Sequence, residues 1–435
     1  MSDQHNHGHH HPQIYGDLRK RLDAYPVGAP DTPGFRKVLS ILFSEDEARL
    51  ACSMPQSLVN IPDLAKITGQ SETKLEKMLE RMADRGLVAD IDRNGEKYYM
   101  LMPTIPGFFE MLLMQKRDDI PQKELAQYLW DDKESLYPVI FNGETQFGRV
   151  LPYEESLGKD IHHEVCAYER TSEVLKEAGT VSVSLCYCRH EKKLIAEECP
   201  HPMEICLGLG MGAEMLIKHH FARRIELAEA LDIVAQSHEL GLVHVTDNVQ
   251  KHPVFMCNCC SCACGMLTSF QEITEFETVM TSNYIARIDS DNCTGCGRCA
   301  RVCPVGAITL HKIWEPKPGL LAKVDESICL GCGACVLSCK KDSLKLQTRK
   351  ARVITPETAF HRMTAMALER GKLQELLFTD PSKITHRVGK ILMKSFLRLP
   401  PMKKAMLQKE VKSKFINFLF EKARQSKDGW VLDYI

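Results

Sequence analysis

Several features that define other protein classes are missing from this 435-residue sequence. No run approaches the ~18 consecutive apolar residues that cross a bilayer, which excludes an ordinary transmembrane helix. The polar, His-rich N-terminus has no apolar segment typical of a secretory signal. No glycine-rich dinucleotide fingerprint, P-loop or Ser-His-Asp arrangement is found on a strand–turn–helix pattern. We therefore expect a cytoplasmic protein that is at most associated with a membrane surface. We also expect that it does not catalyse the reactions for which these motifs are typical.

Cysteine, in contrast, is abundant, with 19 residues in the chain. The odd count and the missing signal sequence favour a reducing compartment and metal ligation over disulfides. Charge is unevenly distributed, because the overall net charge is −1 while residues 349–435 contain 19 Lys and Arg against 8 Asp and Glu, a net charge of +11. The C-terminal segment is therefore electrostatically distinct from the rest.

Eight cysteines form two copies of one spacing, C-x2-C-x2-C-x3-C, in CTGCGRCARVCP and CLGCGACVLSCK. In this spacing three thiolates wrap one face of an iron–sulfur cube and the fourth is directed toward the other cube. Zinc ribbons or a disulfide framework are alternatives, but neither needs the offset fourth cysteine. The spacing predicts two 4Fe–4S clusters with crossed ligands: Cys293, Cys296, Cys299 and Cys339 for cluster 1, and Cys329, Cys332, Cys335 and Cys303 for cluster 2.

Residues 284–348 resemble the bacterial dicluster ferredoxin domain. In the first run Pro304 follows the fourth cysteine, as the motif expects, whereas the second run has Lys340 at the equivalent position. The resemblance implies a two-fold βαβ-like module that carries single electrons between its clusters. The segment has nine basic and six acidic residues, a net charge of +3, which suits an acidic redox partner. The stretch between the two runs predicts a hairpin with Trp314 near its tip.

Nine further cysteines precede this module, more than packing requires. Four or five of them are enough for another 4Fe–4S cluster, with a zinc site and thiol redox chemistry as alternatives. Adjacent Cys259 and Cys260 point apart in an extended chain, which leaves one of them for a second metal, a bridging role or redox chemistry. His190 and His201 are candidate substitute ligands. The nine candidates are Cys186, Cys188, Cys199, Cys206, Cys257, Cys259, Cys260, Cys262 and Cys264.

Residues 35–105 resemble a winged-helix domain. A short helix over 62–67 ends at Gly69, Ser71 begins a second helix that Gly86 stops, and Asn94-Gly95 marks a two-stranded hairpin. The resemblance implies DNA binding through the second helix, with docking or dimerisation as the alternative. Four acidic residues cancel the four basic residues of that helix, which counts against DNA because a phosphate-facing helix carries a basic surplus.

These patterns together predict an α+β multidomain protein. The C-terminal segment is amphipathic. Its apolar face is expected either to bind an anionic membrane or to pack against its own protein or a partner subunit. The predicted divisions are a flexible His-rich tail and linker (1–34), a winged-helix-like domain (35–115), a helical bridge (116–180), a Cys-rich α/β domain (181–280), a dicluster ferredoxin domain (281–348) and a basic helical tail (349–435).

The predicted function is single-electron transfer through two 4Fe–4S clusters and at least one further cluster, as a carrier or an oxidoreductase subunit. The Cys-rich segment followed by a ferredoxin module resembles 4Fe–4S proteins of anaerobic bacteria. Two alternatives remain: a redox-sensing winged-helix regulator, and an oxidoreductase with a catalytic cluster in residues 186–264.

Overall fold

The structure is a computed structural model, and it describes residues 12–141, 143–158, 165–196, 199–272, 280–313, 319–380, 383–406, 408–426 and 429–433. The fold mixes helices with small antiparallel sheets, so the α+β expectation holds. No helix in the described ranges has both the length and the apolar character needed to cross a bilayer. The His-rich residues 5–11, together with His162, His163 and Trp314, lie outside the described residues.

The N-terminal region begins with three helices: α1 (Pro12–Asp23), α2 (Pro33–Leu42) and α3 (Glu45–Ser53). The prediction of a flexible segment through residue 34 is wrong for residues 12–34. Tyr15, Leu18 and Leu22 follow helical spacing and are buried, and Tyr25 and Val27 in the Pro/Gly-punctuated stretch are buried as well. This stretch resembles a linker in composition, yet its apolar residues contribute to the core.

The next elements follow the predicted helix–turn–helix–hairpin order. They are β1 (Val59–Asn60), α4 (Ile61–Thr68), α5 (Glu72–Ala83), β2 (Val88–Arg93) and β3 (Glu96–Leu101). Gly69 ends α4 in the left-handed conformation, and the Ser71 side chain accepts a hydrogen bond from the Lys74 N–H at the start of α5. The strands form one antiparallel sheet in the order β1-β3-β2.

The middle of the chain is built on a six-stranded antiparallel sheet. Its elements, in chain order, are α6 (Phe109–Leu113), α7 (Gln122–Asp131), α8 (Lys133–Phe141), β4 (Gly148–Leu151), α9 (Thr171–Glu177), β5 (Val181–Leu185), α10 (Tyr187–Leu194), β6 (Glu204–Leu209), α11 (Gly210–Lys218), β7 (Arg223–Ile225), α12 (Leu227–Glu239), β8 (Val243–Asp247), β9 (Phe255–Cys259) and α13 (Gly265–Glu272). The strand order is β4-β8-β9-β6-β5-β7.

Residues 116–180 are not entirely helical, because β4 within them pairs with β8 at the edge of this sheet. All four residues of β4 are buried, as expected for a strand covered on both faces. The bridge therefore contributes to the sheet that carries the upstream cysteines.

The dicluster region contains two short helices and two antiparallel strand pairs. These are β10 (Tyr284–Ile288), α14 (Arg298–Val302), β11 (Ile308–Ile313), β12 (Gly319–Val324), α15 (Ala334–Ser338) and β13 (Leu344–Thr348). β10 pairs with β13, and β11 pairs with β12 as the predicted hairpin. Buried residues of this region share one hydrophobic core with the middle sheet and the N-terminal helices.

Five helices follow: α16 (Ala359–Glu369), α17 (Leu373–Leu377), α18 (Ile384–Arg398), α19 (Pro400–Met406) and α20 (Lys409–Arg424). α16 is embedded in the protein, since Met366 is fully buried and Arg362 forms an ion pair with buried Asp247 of β8. α18 differs, because its apolar residues Ile384, Ile391 and Leu392 are each about two-thirds exposed. Within the described ranges, packing on the protein itself therefore does not cover these three side chains of α18.

Candidate iron–sulfur and metal centres

The eight cysteines of the repeated spacing line two separate cavities. One is lined by Cys303 together with Cys329, Cys332 and Cys335, and the other by Cys339 together with Cys293, Cys296 and Cys299. Each cavity thus collects three cysteines of one run and the last cysteine of the other run. The sulfur-only donor sets and their enclosure suit 4Fe–4S clusters, which are held by four thiolates.

The ligand loops need glycine at equivalent positions of the two runs. Gly295 and Gly331 have φ angles of +63° and +69°. A Cβ on Gly295 would overlap the carbonyl oxygen of Leu320 in β12, and one on Gly331 would overlap the carbonyl oxygen of Tyr284 in β10. The loops therefore lie directly against strand backbone, which brings their own backbone amides close to the cysteines.

The fourth cysteines receive hydrogen bonds at sulfur. The Ala307 N–H donates to Cys303 Sγ at 3.2 Å, and Cys339 Sγ lies 3.2 Å from Ser343 Oγ. Burial acts to raise the pKa of Cys339, but the hydrogen bonds from Ser343 and nearby backbone amides outweigh it and lower the pKa. Lys340, which stands where the motif has proline, is exposed and leaves Cys339 in the cavity.

The two cavities differ in exposure. Cys296 is exposed at the cavity of the predicted cluster 1, whereas Cys329, Cys332 and Cys335 are all buried. Arg298, Lys340 and Lys341 also line the cavity that contains Cys296. The predicted cluster 1 is therefore the one beside the protein surface, in a basic environment.

Six of the nine upstream cysteines form one continuous group where β5, β6 and β9 approach the start of α10 and α13. Cys206 Sγ and Cys257 Sγ of neighbouring strands are 3.9 Å apart. Hydrogen bonds between thiols connect the six in the sequence Cys186, Cys188, Cys264, Cys259, Cys257 and Cys206. A hydrogen bond from the Cys206 thiol lowers the pKa of Cys257 to about 5.

The carboxyl groups of half-buried Glu110 and buried Glu191 lie beside the six-thiol group. Burial raises the pKa of Glu110 to about 8 and the pKa of Glu191 to about 8. The Glu110 side chain accepts a hydrogen bond from the Gly107 N–H at 2.9 Å. Buried Tyr137 and partly buried Tyr187 lie beside the same thiols, and desolvation raises the pKa of both. Burial therefore favours the protonated, uncharged form of these four side chains.

The remaining three upstream cysteines form a second, smaller group. Cys199 Sγ lies 3.6 Å from Cys260 Sγ and 3.3 Å from Cys262 Sγ, and the Cys260 and Cys262 sulfurs are 3.4 Å apart. Cys259 and Cys260 thus belong to different groups, in agreement with their opposite directions in an extended chain.

The candidate histidine ligands are not part of the three-thiol group among the described residues. His190 Nδ1 lies 2.8 Å from the carbonyl oxygen of Leu113, so this ring is engaged elsewhere. Burial lowers the pKa of His201 without bringing it into the group. Neither histidine therefore belongs to the three-thiol group, and their role as ligands of a cluster stays a prediction.

Sequence reasoning missed several residues around these sites. Arg189, only 1 % exposed, hydrogen-bonds the Cys260 thiol and donates to the carbonyl oxygens of Pro202 and Asn258. Its position directly after Cys188 in the sequence is the one feature that could have indicated a role beside the thiols. Tyr153 had no such signal, although its N–H donates to the carbonyl oxygen of Cys332 at 2.9 Å.

The two cysteine-lined cavities lie within one segment that matches a known domain family. The family model of the 4Fe-4S dicluster domain matches residues 292–343 of the chain. This match supports a ferredoxin-like iron–sulfur domain and 4Fe–4S binding at the repeated cysteine runs. Comparison with curated proteins gave no match, and comparison with solved structures gave none.

Proposed function

We propose that the chain transfers single electrons between redox partners through two 4Fe–4S clusters and a third cluster in the Cys-rich sheet. The observation that carries this proposal is the pair of cavities, each lined by three cysteines of one run and the fourth cysteine of the other. Clusters of this type supply one-electron redox chemistry when bound. We assign the third cluster to four of the six connected thiols.

A short chain of contacts supports a route between the Cys-rich sheet and the predicted cluster 2. Tyr153, which donates its N–H to Cys332, also donates its hydroxyl to the carbonyl oxygen of Leu242 at 2.6 Å. The His244 ring lies 5.4 Å from the Tyr153 ring, and His244 Nδ1 is 2.6 Å from Asn258 Oδ1. Asn258 lies between two cysteines of the six-thiol group. These contacts link the dicluster region to β9, the strand that carries two of the six thiols, through the face of the strand opposite those thiols.

The surface around Cys296 suits a redox partner with an acidic docking face. Lys340 and Lys341 are exposed, and the nearby side chains of Leu310 and Leu320 are 36 % and 42 % exposed. Partly exposed apolar residues within a basic rim are typical of transient interfaces, in which charge steers the encounter. We propose that electrons enter or leave the chain here.

The winged-helix-like region is proposed to dock within the protein rather than to bind DNA. Asp90 of β2 accepts from Lys218 at 2.5 Å and lies 2.7 Å from His219 Nε2. On β3, the Tyr98 ring packs against the Trp430 ring at 5.3 Å. The hairpin that would lie along a DNA backbone is thus engaged with other parts of the chain.

An oxidoreductase role at the six-thiol group is the second candidate function. Its support is the set of protonatable side chains beside these thiols, because reduction of a bound substrate consumes protons as well as electrons. A spectrum of this cluster that changes on addition of a small-molecule ligand would favour catalysis. A spectrum insensitive to ligands would favour electron transfer alone.

The proposal is tested by anaerobic purification of the full chain, with iron and sulfide measured per chain and low-temperature EPR of the reduced protein. About twelve iron atoms per chain are expected for three clusters, and about eight would remove the third cluster. Cys332→Ser should remove the signal of one cluster. Cys52→Ser is the matched control, because this half-buried thiol of α3 belongs to neither of the two cavities nor to the upstream thiol groups.

A further inference from the structure

The three-thiol group differs in geometry from the sites of the predicted clusters. Among the described residues, it is the one set of three or more Cys, His, Asp or Glu side chains whose ligand atoms all lie within 4.8 Å of one another. The cysteines that line the two ferredoxin cavities are spread more widely. This difference matters because a single ion and a cube require different sulfur separations.

A single tetrahedral ion brings its thiolates close together. With Zn–S bonds of about 2.3 Å, tetrahedral geometry places the sulfurs about 3.8 Å apart. The three sulfur–sulfur separations of 3.3, 3.4 and 3.6 Å are close to this value. In a 4Fe–4S cube each thiolate binds a different iron and points away from the others, so the sulfurs must lie further apart. The group therefore has the dimensions of a one-ion site.

The surroundings also suit a bound metal–thiolate group. Cys260 is 4 % exposed and packs with Ile205, Leu242 and Ala263 in a small hydrophobic cluster. Zinc with three thiolates carries one net negative charge, which is unfavourable in an apolar environment unless it is paired. The guanidinium of Arg189 supplies that partner through its hydrogen bond to Cys260. Such hydrogen bonds orient metal ligands and tune the ion.

We infer that Cys199, Cys260 and Cys262 bind one zinc ion, separate from the iron–sulfur clusters. The site connects the loop before β6 with the loop after β9, and the described part of the chain supplies three thiolate ligands to it. This zinc site is independent of the proposed electron transfer, which uses the six-thiol group and the two ferredoxin cavities. Its metal content therefore distinguishes it from them.

The test uses the full chain, purified anaerobically from zinc-replete cells, with zinc and iron measured per chain. Wild-type protein should contain about one zinc, and X-ray absorption at the zinc edge should show sulfur neighbours at about 2.3 Å. Cys262→Ser should lose the zinc and keep its iron, whereas Cys52→Ser should keep both. The X-ray measurement needs no variant, so it decides the matter even if Cys262→Ser does not fold.

Two outcomes overturn the inference: wild-type protein without zinc–sulfur ligation, or a Cys262→Ser protein that loses iron while the EPR signals of the ferredoxin clusters persist. Failure of the proposed function has a different signature. Zinc at about one per chain with iron well below about twelve would refute the third cluster and leave the zinc site intact.

Discussion

The close approach of the ligand loops to strand backbone leads to a sharp prediction about glycine. Gly331 and Gly306 lie in the same region with nearly equal φ angles, +69° and +67°. They differ in surroundings, because a Cβ on Gly331 would overlap the carbonyl oxygen of Tyr284, whereas nothing lies within 4 Å of a Cβ on Gly306. Gly306→Ala should therefore be destabilised by backbone strain alone. Gly331→Ala should show the same strain and should also lose the close contact between its loop and the backbone of β10.

The expected magnitudes follow from the contacts. A left-handed alanine costs about 1–2 kcal/mol in either variant. In Gly331→Ala the loop must also move away from β10, which breaks two bonds: Ser282 N–H to the carbonyl of Leu330 at 2.9 Å, and Ser282 Oγ to the carbonyl of Gly331 at 2.9 Å. At about 1 kcal/mol each, these add about 2 kcal/mol, or about a 30-fold shift toward a displaced loop.

Iron content and thermal unfolding provide the assay. Gly306→Ala should keep all its iron and unfold at a slightly lower temperature. Gly331→Ala should lose about four iron atoms per chain, because Cys332 follows directly in the displaced loop. Gly295→Ala, whose Cβ would overlap the carbonyl of Leu320, should instead remove the EPR signal of the more exposed cluster. Equal iron content in Gly306→Ala and Gly331→Ala would refute the reasoning.

Three further predictions concern stability and binding. Arg362→Met leaves buried Asp247 without its ion-pair partner, so denaturant unfolding should show a loss of about 3–5 kcal/mol; an unchanged midpoint would contradict this. Burial opposes protonation of His219, but hydrogen bonds to Asp90 and Asp84 outweigh it and raise the His219 pKa. The wild type should therefore have a larger unfolding free energy than His219→Gln below pH ~6.5. This difference should decline as the pH rises through the raised pKa. A pH-independent difference in unfolding free energy would argue against it. Ile391→Asp should weaken binding to anionic vesicles at least about tenfold in co-sedimentation. Equal binding of the wild type and the variant would instead point to a protein partner for this face.

Local patterns predicted the parts of the fold that depend on local chemistry. Ser71 and Gly69 mark helix ends through their own hydrogen bonding and backbone angles, and the structure has those ends at the same residues. The C-x2-C-x2-C spacing likewise limits where three neighbouring thiols can point. These features need no knowledge of distant parts of the chain, which is why the sequence was informative about them.

The grouping of the nine upstream thiols depends on distant contacts and was not predictable in full. Alternation along a strand separates Cys259 from Cys260, but it does not say which partners each one finds. Cys199 meets Cys262, 63 residues further on, because β6 pairs with β9 rather than with β7. That strand order is a property of the whole sheet, and no local signal in the sequence specifies it.

The sheet register explains why one short segment holds two sites with different requirements. In β9, Cys257 and Cys259 face the six-thiol group, and Asn258 between them points to the opposite face, toward His244 and the carbonyl oxygen of Ile205. Cys260, directly after the end of β9, contacts Cys199 and Arg189 instead. A single strand end therefore contributes thiols to two separate groups without sharing a cysteine between them. If both proposed sites bind their metals, the dense cysteine pattern follows because two sites draw on the same few residues.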